Sequence, residues 1–324
     1  TRDETVTHED LGTAPAAILP DSPFHFFKRF GRGVQEAFTF DPVRDAELKL
    51  QHASQQLSEC AQWIERDGMA NINSTVLSSA LEIYKDKVDE VRDTAAGLKA
   101  EKDAQPEVID RLLNDVTDKH VRQRRMLEGI TKDVLAAKEV AAAGGVEVSS
   151  DIDRVLSKVE ETKDATVSDL ADMLVQVEDS PQSVGVRITN VLDRQAGSEF
   201  KELKHLEVLQ AVKEKMPEEA KDSLDLAKNN TIQKFEAKMR DLPPVARAEK
   251  FKVYVEEATS DETKLLALLD QLKQSPSIPT DLLSKMEEAK EIVVKKFEKK
   301  LKVIGDTRIQ DQFLDKFDAT KIDD

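Results

Sequence analysis

Five histidines, one cysteine and a surplus of carboxylates are the residues of this chain that could carry chemistry. His8, His25, His52, His120 and His205 are scattered, and none stands at metal-ligand spacing from another or from Cys60. His25 is expected at the surface. His120 and His205 fall beside apolar stripes and are expected as boundary residues, each with one hydrogen bond. Cys60, the only cysteine, can form no intrachain disulfide; it lies within a helical pattern, as a small core or boundary residue does, and not as a nucleophile. The acidic pairs Glu160–Glu161 and Glu287–Glu288 are neighbours on predicted helices, so they point ~100° apart and do not converge. Asp151 and Asp153 in SSDIDRV lack the glycine and the terminal glutamate of a calcium loop, and read as an acidic helix N-terminus. Gly31–Gly33 (GRG) follows no strand, no Walker-type lysine loop occurs, and the serines of DSLDLA and SPQSVG lack a nucleophile elbow. The expectation is a protein that is not an enzyme, with no catalytic, cofactor-binding or metal residues and no cofactor. Its small-molecule ligand, if it has one, is left open.

The elements that hold these residues are helical. Of 324 residues, 35% are charged and only 5% aromatic, with 11 Gly and 11 Pro. An ordinary globular chain carries about 25% charged residues, so this composition suits long helices with narrow apolar stripes. A formal net charge of −16 argues against nucleic acid, which is bound by neutralising phosphates, and against anionic lipid surfaces. The basic run Val293–Lys302 (VVKKFEKKLK) reads as the solvated face of an amphipathic helix. No apolar run approaches the ~20 residues of a membrane span.

Along the chain, the first 18 residues lack periodicity and are expected to be a flexible arm. A Phe-rich helix follows LPDSPF, with Phe24, Phe26, Phe27, Phe30, Val34, Phe38 and Phe40. Asp41–Pro42 caps the next helix, which carries Ala46, Leu50, Ala53, Leu57, Ala61 and Ile64 and stops at Asp67–Gly68. A third helix has Leu77, Leu81, Tyr84, Val88, Val91, Ala95 and Leu98 at alternating spacings of 4 and 3, a coiled-coil-like seam in which Tyr84 is a packing residue. A fourth begins near Pro106. The second half repeats. Segments from Val159, Leu224 and Met286 align without gaps, superposing Lys163, Lys228 and Lys290, then Leu170, Phe235 and Phe297, then Leu174, Met239 and Leu301, at offsets of 65 and 62. Each unit reads as a helix, a proline corner, a long helix, a turn and a third helix.

The run LPDSPFHFFKRF…FTFDPVRDAELKLQHASQQLSE, residues 19 to about 65, resembles an uncharacterised bacterial domain family of unknown function. That family reads LPxSPxYxxKR and then FTFDPxxKAxL. Leu19, Pro20, Ser22, Pro23, Lys28 and Arg29 match the first block; Phe38 to Pro42, Ala46 and Leu48 match the second. Phe27 stands near where the family prefers leucine, and Gln56 replaces its arginine. In that family the domain follows a signal peptide or membrane anchor, so the resemblance implies an extracytoplasmic place, and a polar start at Thr1 fits a mature exported chain. It assigns no activity.

The resulting expectation is an all-α protein, with an elongated helical bundle or coiled-coil-like N-terminal part followed by helical repeats. Its divisions are a flexible arm over 1–18, a bundle over 19–135, an Ala/Gly-rich joint over 136–150, and repeats over 151–324 with copies around 151–198, 199–259 and 260–324. The expected function is structural or interactive, in the bacterial cell envelope or at its surface. Its partner is a protein or a second copy joined through helical seams, with neither nucleic acid nor a transmembrane segment. The alternative is a periplasmic helical binding or chaperone-like module for a peptide, protein or cation, with an exposed apolar groove lined by Phe and Met.

Overall fold

A computed structural model of the chain describes residues 6–16, 19–22, 32, 35–36, 39, 41–100, 105–143, 150–178, 180–257 and 261–322. Among these it is all-α, with eleven α-helices, one short 3-10 turn and no strand. The first four helices are α1 (Pro42–Asp67), α2 (Ser74–Ala100), α3 (Pro106–Ala143) and α4 (Ser150–Val177). They form a bundle in the order α1–α2–α4–α3 around its axis, so α2 and α3 face each other across the diagonal. Local sequence sets the ends of α1. The Asp41 carboxylate accepts from the N–H groups of Val43 and Arg44 at 2.9 and 3.2 Å, Pro42 occupies the first position, and Gly68, at φ 72°, ends the helix by donating to Ile64 O. The seam of α2 is buried over its whole length, from Leu77 to Leu98. It is the core of the chain's own bundle.

The remaining helices are α5 (Pro181–Arg194), α6 (Lys201–Lys215), α7 (Glu218–Asp241), α8 (Pro244–Glu257), α9 (Glu262–Lys273), α10 (Thr280–Val303) and α11 (Thr307–Ile322). The repeat is visible as α4–α5, α6–α7–α8 and α9–α10–α11. In each step the last helix of one unit packs on the long helix of the next, α5 on α7 and α8 on α10. The superposed apolar positions Leu170, Phe235, Phe297, Leu174 and Met239 are all buried, and Leu301 is partly so. The superposed lysines also act alike in the last two units. Lys228 donates to Gln210 on α6 at 2.5 Å, and Lys290 pairs with Asp270 on α9, so each ties a long helix to the leucine-rich helix before it. At the unit junction, Phe200 meets Phe235, Phe251 and Tyr254 with ring centroids 5.3 to 6.5 Å apart.

The repeats touch the bundle: α10 packs against α3, where Lys299 pairs with Glu139 at 2.5 Å. Two expectations meet a different structure. The region expected as a joint is helical through Ala143, and α4, the long helix of the first repeat, is also the fourth helix of the bundle. The described part of the N-terminal arm is docked. Leu11 is 1% exposed, Lys119 donates to Leu11 O, Ala16 N–H donates to Gln62 Oε1 at 2.9 Å, and Gly12 turns the chain at φ 68°. A lone leucine in a polar stretch gives no periodic signal, yet burying it contributes roughly 2 kcal/mol. Most of the Phe-rich helix, with His25 and both glycines of GRG, and residues 144–149 of the joint lie outside the described residues.

Helices α5 and α7 approach closely at Gly185. A Cβ on Gly185 would sit 2.3 Å from the backbone oxygen of Ser223, which cannot move without separating the helices. Gly129 on α3 has open space at the same test. Gly185→Ala is therefore expected to destabilise the protein by about 1–3 kcal/mol, and Gly129→Ala to stabilise it by about 0.5–1 kcal/mol. Urea unfolding of both variants checks this; equal effects would refute the close approach.

Candidate functional site

The interior is unusually polar for a helical protein, and its polar groups lie in connected layers. In the first layer each bundle helix contributes one side chain. The Tyr84 hydroxyl (α2) donates to Gln123 Oε1 (α3) at 3.1 Å and lies 3.0 Å from the Thr166 hydroxyl (α4). Gln123 Nε2 donates to Ser54 Oγ (α1) at 3.0 Å. All four residues are essentially inaccessible. Tyr84 therefore packs in the seam, as its position predicts, and its hydroxyl also fixes the alignment of three other helices. Burial pushes that phenol far above its usual pKa, so it acts as a neutral donor.

One turn along α4 from Thr166, Asp169 faces Arg92 (α2) at 2.5 Å, and Asp89 meets the same guanidinium nitrogen, Nη1, at 3.0 Å. Burial, reinforced by the Asp89 charge and opposed by Arg92, pushes the Asp169 carboxyl up to about 7.

A second layer joins α3, α4 and α6. Arg124 meets Glu128 at 2.9 Å; Lys204 lies 3.6 Å from Glu128 and 3.2 Å from Glu207; Lys163 meets Glu160 at 2.7 Å, and Thr131 donates to Glu160 at 3.1 Å. Three cations thus balance three carboxylates, all buried. Burial raises the Glu128 carboxyl, but Arg124, Lys204 and Lys163 outweigh it and hold Glu128 below the carboxylate range. Burial lowers the Lys163 ammonium, and Glu160, Asp261 and Glu128 more than reverse this. Asp261, the N-cap of α9, also faces Lys264 and Lys163, which hold it far below its usual range against the effect of burial.

Among the described residues, those singled out in the sequence do not assemble into one site. His52 binds Glu36 at 2.6 Å. His120 lies next to Val116 O at 2.9 Å; it is interior, not at a boundary, and burial pushes it down to about 4. His205 is likewise interior. Burial raises the Cys60 thiol well above its normal value. Glu160 turns inward while Glu161 pairs with Lys158 outside, as their angular offset requires. Asp151 and Asp153 stand in the first turn of α4, and Asp153 pairs with buried Lys138. Among the described residues no three of His, Cys, Asp and Glu are placed to hold a metal ion, and no helix is long and apolar enough to cross a membrane. A shallow polar depression lies beside the start of α1, between Gln35, Asp41, Arg44 and Gln51.

These features define an all-α protein of stacked helices held together by buried, charge-balanced layers. Residues 17–119 match the family model described as "Domain of unknown function (DUF5667)", which takes in α1, α2 and the first turns of α3, about a third of the chain. That agrees with the resemblance of residues 19–65 to an uncharacterised domain family and extends it through α2 into the start of α3. No curated protein and no solved structure matches the chain.

Two outcomes follow from the layers. Tyr84→Phe strands Gln123 Oε1 in the core and is expected to cost about 1–3 kcal/mol in urea unfolding; an unchanged midpoint would show that the layer carries no stability. Asp169 has a folded pKa raised above its unfolded value of 3.8. Its contribution to stability is fully present below pH ~4 and lost as pH rises through ~7. Asp169→Asn keeps an acceptor for Arg92 and a donor for Asp89, so it should flatten the stability profile between pH 4 and 7. An identical slope in the variant would remove Asp169 as its source.

Proposed function

We propose that this chain is a non-enzymatic structural or interaction protein of the bacterial cell envelope, working outside the cytoplasm and meeting a protein partner through its charged helical faces. The observation that carries the interaction role is the division between inside and outside. The coiled-coil-like seam from Leu77 to Leu98 and the repeat positions Phe235, Phe297, Met239 and Met286 are all buried in the chain's own core. The chain as a whole carries a net charge of −16, and many of its charged side chains are exposed. In this conformation the apolar seams are already used, so a partner, whether another protein or a second copy, meets salt-sensitive charged surface. The extracytoplasmic place is supported by the resemblance of residues 19–65.

The chaperone-like alternative needs an exposed groove of Phe and Met. Among the described residues, the large apolar side chains that are exposed, such as Val140, Val186, Leu226 and Val245, are neither Phe nor Met, and scattered single exposures of this kind are ordinary on protein surfaces.

Labelling intact cells of the source bacterium with a membrane-impermeant amine reagent should modify Lys295 and Lys299, which are exposed; labelling only after lysis would sink the proposed location. Crosslinking on those cells should capture a protein partner whose yield falls as salt is raised. Capture that is indifferent to salt would point instead to an apolar surface.

A further inference from the structure

Among the described residues, the buried lysines are Lys138, Lys163, Lys204, Lys228 and Lys300. All but one of them pair with a carboxylate: Lys138 with Asp153, Lys163 with Glu160, Lys204 with Glu207 and Lys300 with Glu262. Lys228, 7% exposed, meets a neutral amide instead, and its amine donates to Gln210 Oε1 at 2.5 Å. The repeat shows where the difference arises. Aligning KHLEVLQ of α6 with KLLALLD of α9 sets Gln210 on Asp270, just as the long helices set Lys228 on Lys290. In the last unit this contact is the Lys290–Asp270 ion pair; in the middle unit the same contact has no negative charge.

The acids nearby are committed to other cations. Asp225, one turn earlier on α7, is held by Lys213 at 2.5 and 2.7 Å. Glu214 on α6 is held by Lys264 at 2.6 Å and accepts from Gln210 Nε2 at 3.2 Å. On α5, which also packs against α7, Arg187 pairs with Glu178 and Asp110, Asp193 pairs with Lys234, and Arg194 is exposed. Burial first, and then the Lys213 charge, push the Lys228 ammonium below the ordinary lysine range, against smaller opposing effects of Asp225 and Glu214. The amine is not sealed in, because Gln210, Lys213 and Asp225 are all partly open to solvent.

We infer that Lys228 is a nucleophilic amine and a site of acylation by small activated acyl compounds, of the anhydride or acyl phosphate class, at the contact of α6 with α7. The lone pair of the neutral amine attacks the acyl carbon. The C–N bond forms, the C–O bond to the leaving carboxylate or phosphate breaks, and the amine proton passes to water. Burial of the residue restricts the reagent to small ones. The product amide is neutral. At the other buried lysines acylation would leave a buried or half-buried carboxylate unpaired, whereas at Lys228 it removes a buried charge that has no counter-charge.

The test is trace labelling of the full, folded chain with isotopic acetic anhydride, read residue by residue by mass spectrometry, with exposed Lys295 as the internal reference. The ratio of acetylation at Lys228 to that at Lys295 should be at least about threefold higher at pH ~7 than at pH ~10, because a depressed ammonium supplies free amine at neutral pH. Gln210→Glu, which puts a carboxylate where the last unit has Asp270, should bring the two ratios together. A wild-type ratio that does not change with pH overturns the inference, as does the absence of acetylation at Lys228 in the folded chain. A Gln210→Glu chain that keeps the full excess at neutral pH overturns it as well. Should that variant not fold, the wild-type ratios decide alone.

Discussion

Helix α6 has almost no side facing solvent, and the charges of its first half must therefore be neutralised inside the protein. From Glu202 to Leu209 every residue is buried, including Glu202, Lys204, His205 and Glu207. A helix buried all round is usually apolar all round. Here it is surrounded by α4, α7 and α9, and its buried charges meet opposite charges on its own helix, on α3 and on α7. Lys204 lies between Glu207 on its own helix and Glu128 on α3, while Glu202 takes Lys238 from α7. Such pairs add little net stability over apolar packing, but a wrong register would strand one of them, at a cost of about 3–5 kcal/mol for each broken pair. The layer therefore selects one arrangement of α3, α4 and α6 over compact competitors built from the same leucines.

That selection matters because α4 belongs to two structures. Its N-terminal half, through Val155, Leu156 and Val159, packs in the core shared with α1, α2 and the last repeat unit. Its C-terminal half, through Leu170, Ala171 and Leu174, packs in the core that holds α5 and α7. Between these stretches stand Lys163 of the ionic layer and Thr166 of the hydrogen-bonded layer. An apolar stripe alone would allow α4 to slide by a turn between the two cores. The two polar residues, one turn apart and answering to different partners, do not.

Much of this frame could be read from residue spacing. The seam of α2, the Asp41–Pro42 start, the Gly68 stop and the three-fold repeat all rest on local or periodic signals, and the helices stand where those signals put them. What could not be read shares one physical cause: burial of polar residues depends on neighbours distant in sequence. Ser54, Gln56, Ser58 and Glu59 look like the wet side of α1, yet all are buried between α2, α3 and Arg32. KHLEVLQAV reads as an amphipathic helix because its own sequence cannot reveal that its polar side also faces protein. Leu11 is the converse case, an isolated apolar residue whose destination is set by the core it joins.

The same reasoning bears on the kind of surface the protein offers. Helices that pair charges internally leave the exterior free to vary, and the outer faces are laced with short-range pairs such as Lys285–Glu288 and Lys221–Glu218, which are worth a few tenths of a kcal/mol each. Those pairs contribute little to the fold and exchange readily with water or with another charged surface. The interior pairs hold position and the exterior pairs remain available. This division suits a protein whose shape must stay fixed while its contacts form and break electrostatically, because a partner can compete for Lys221 or Lys285 without disturbing Lys204 or Lys163.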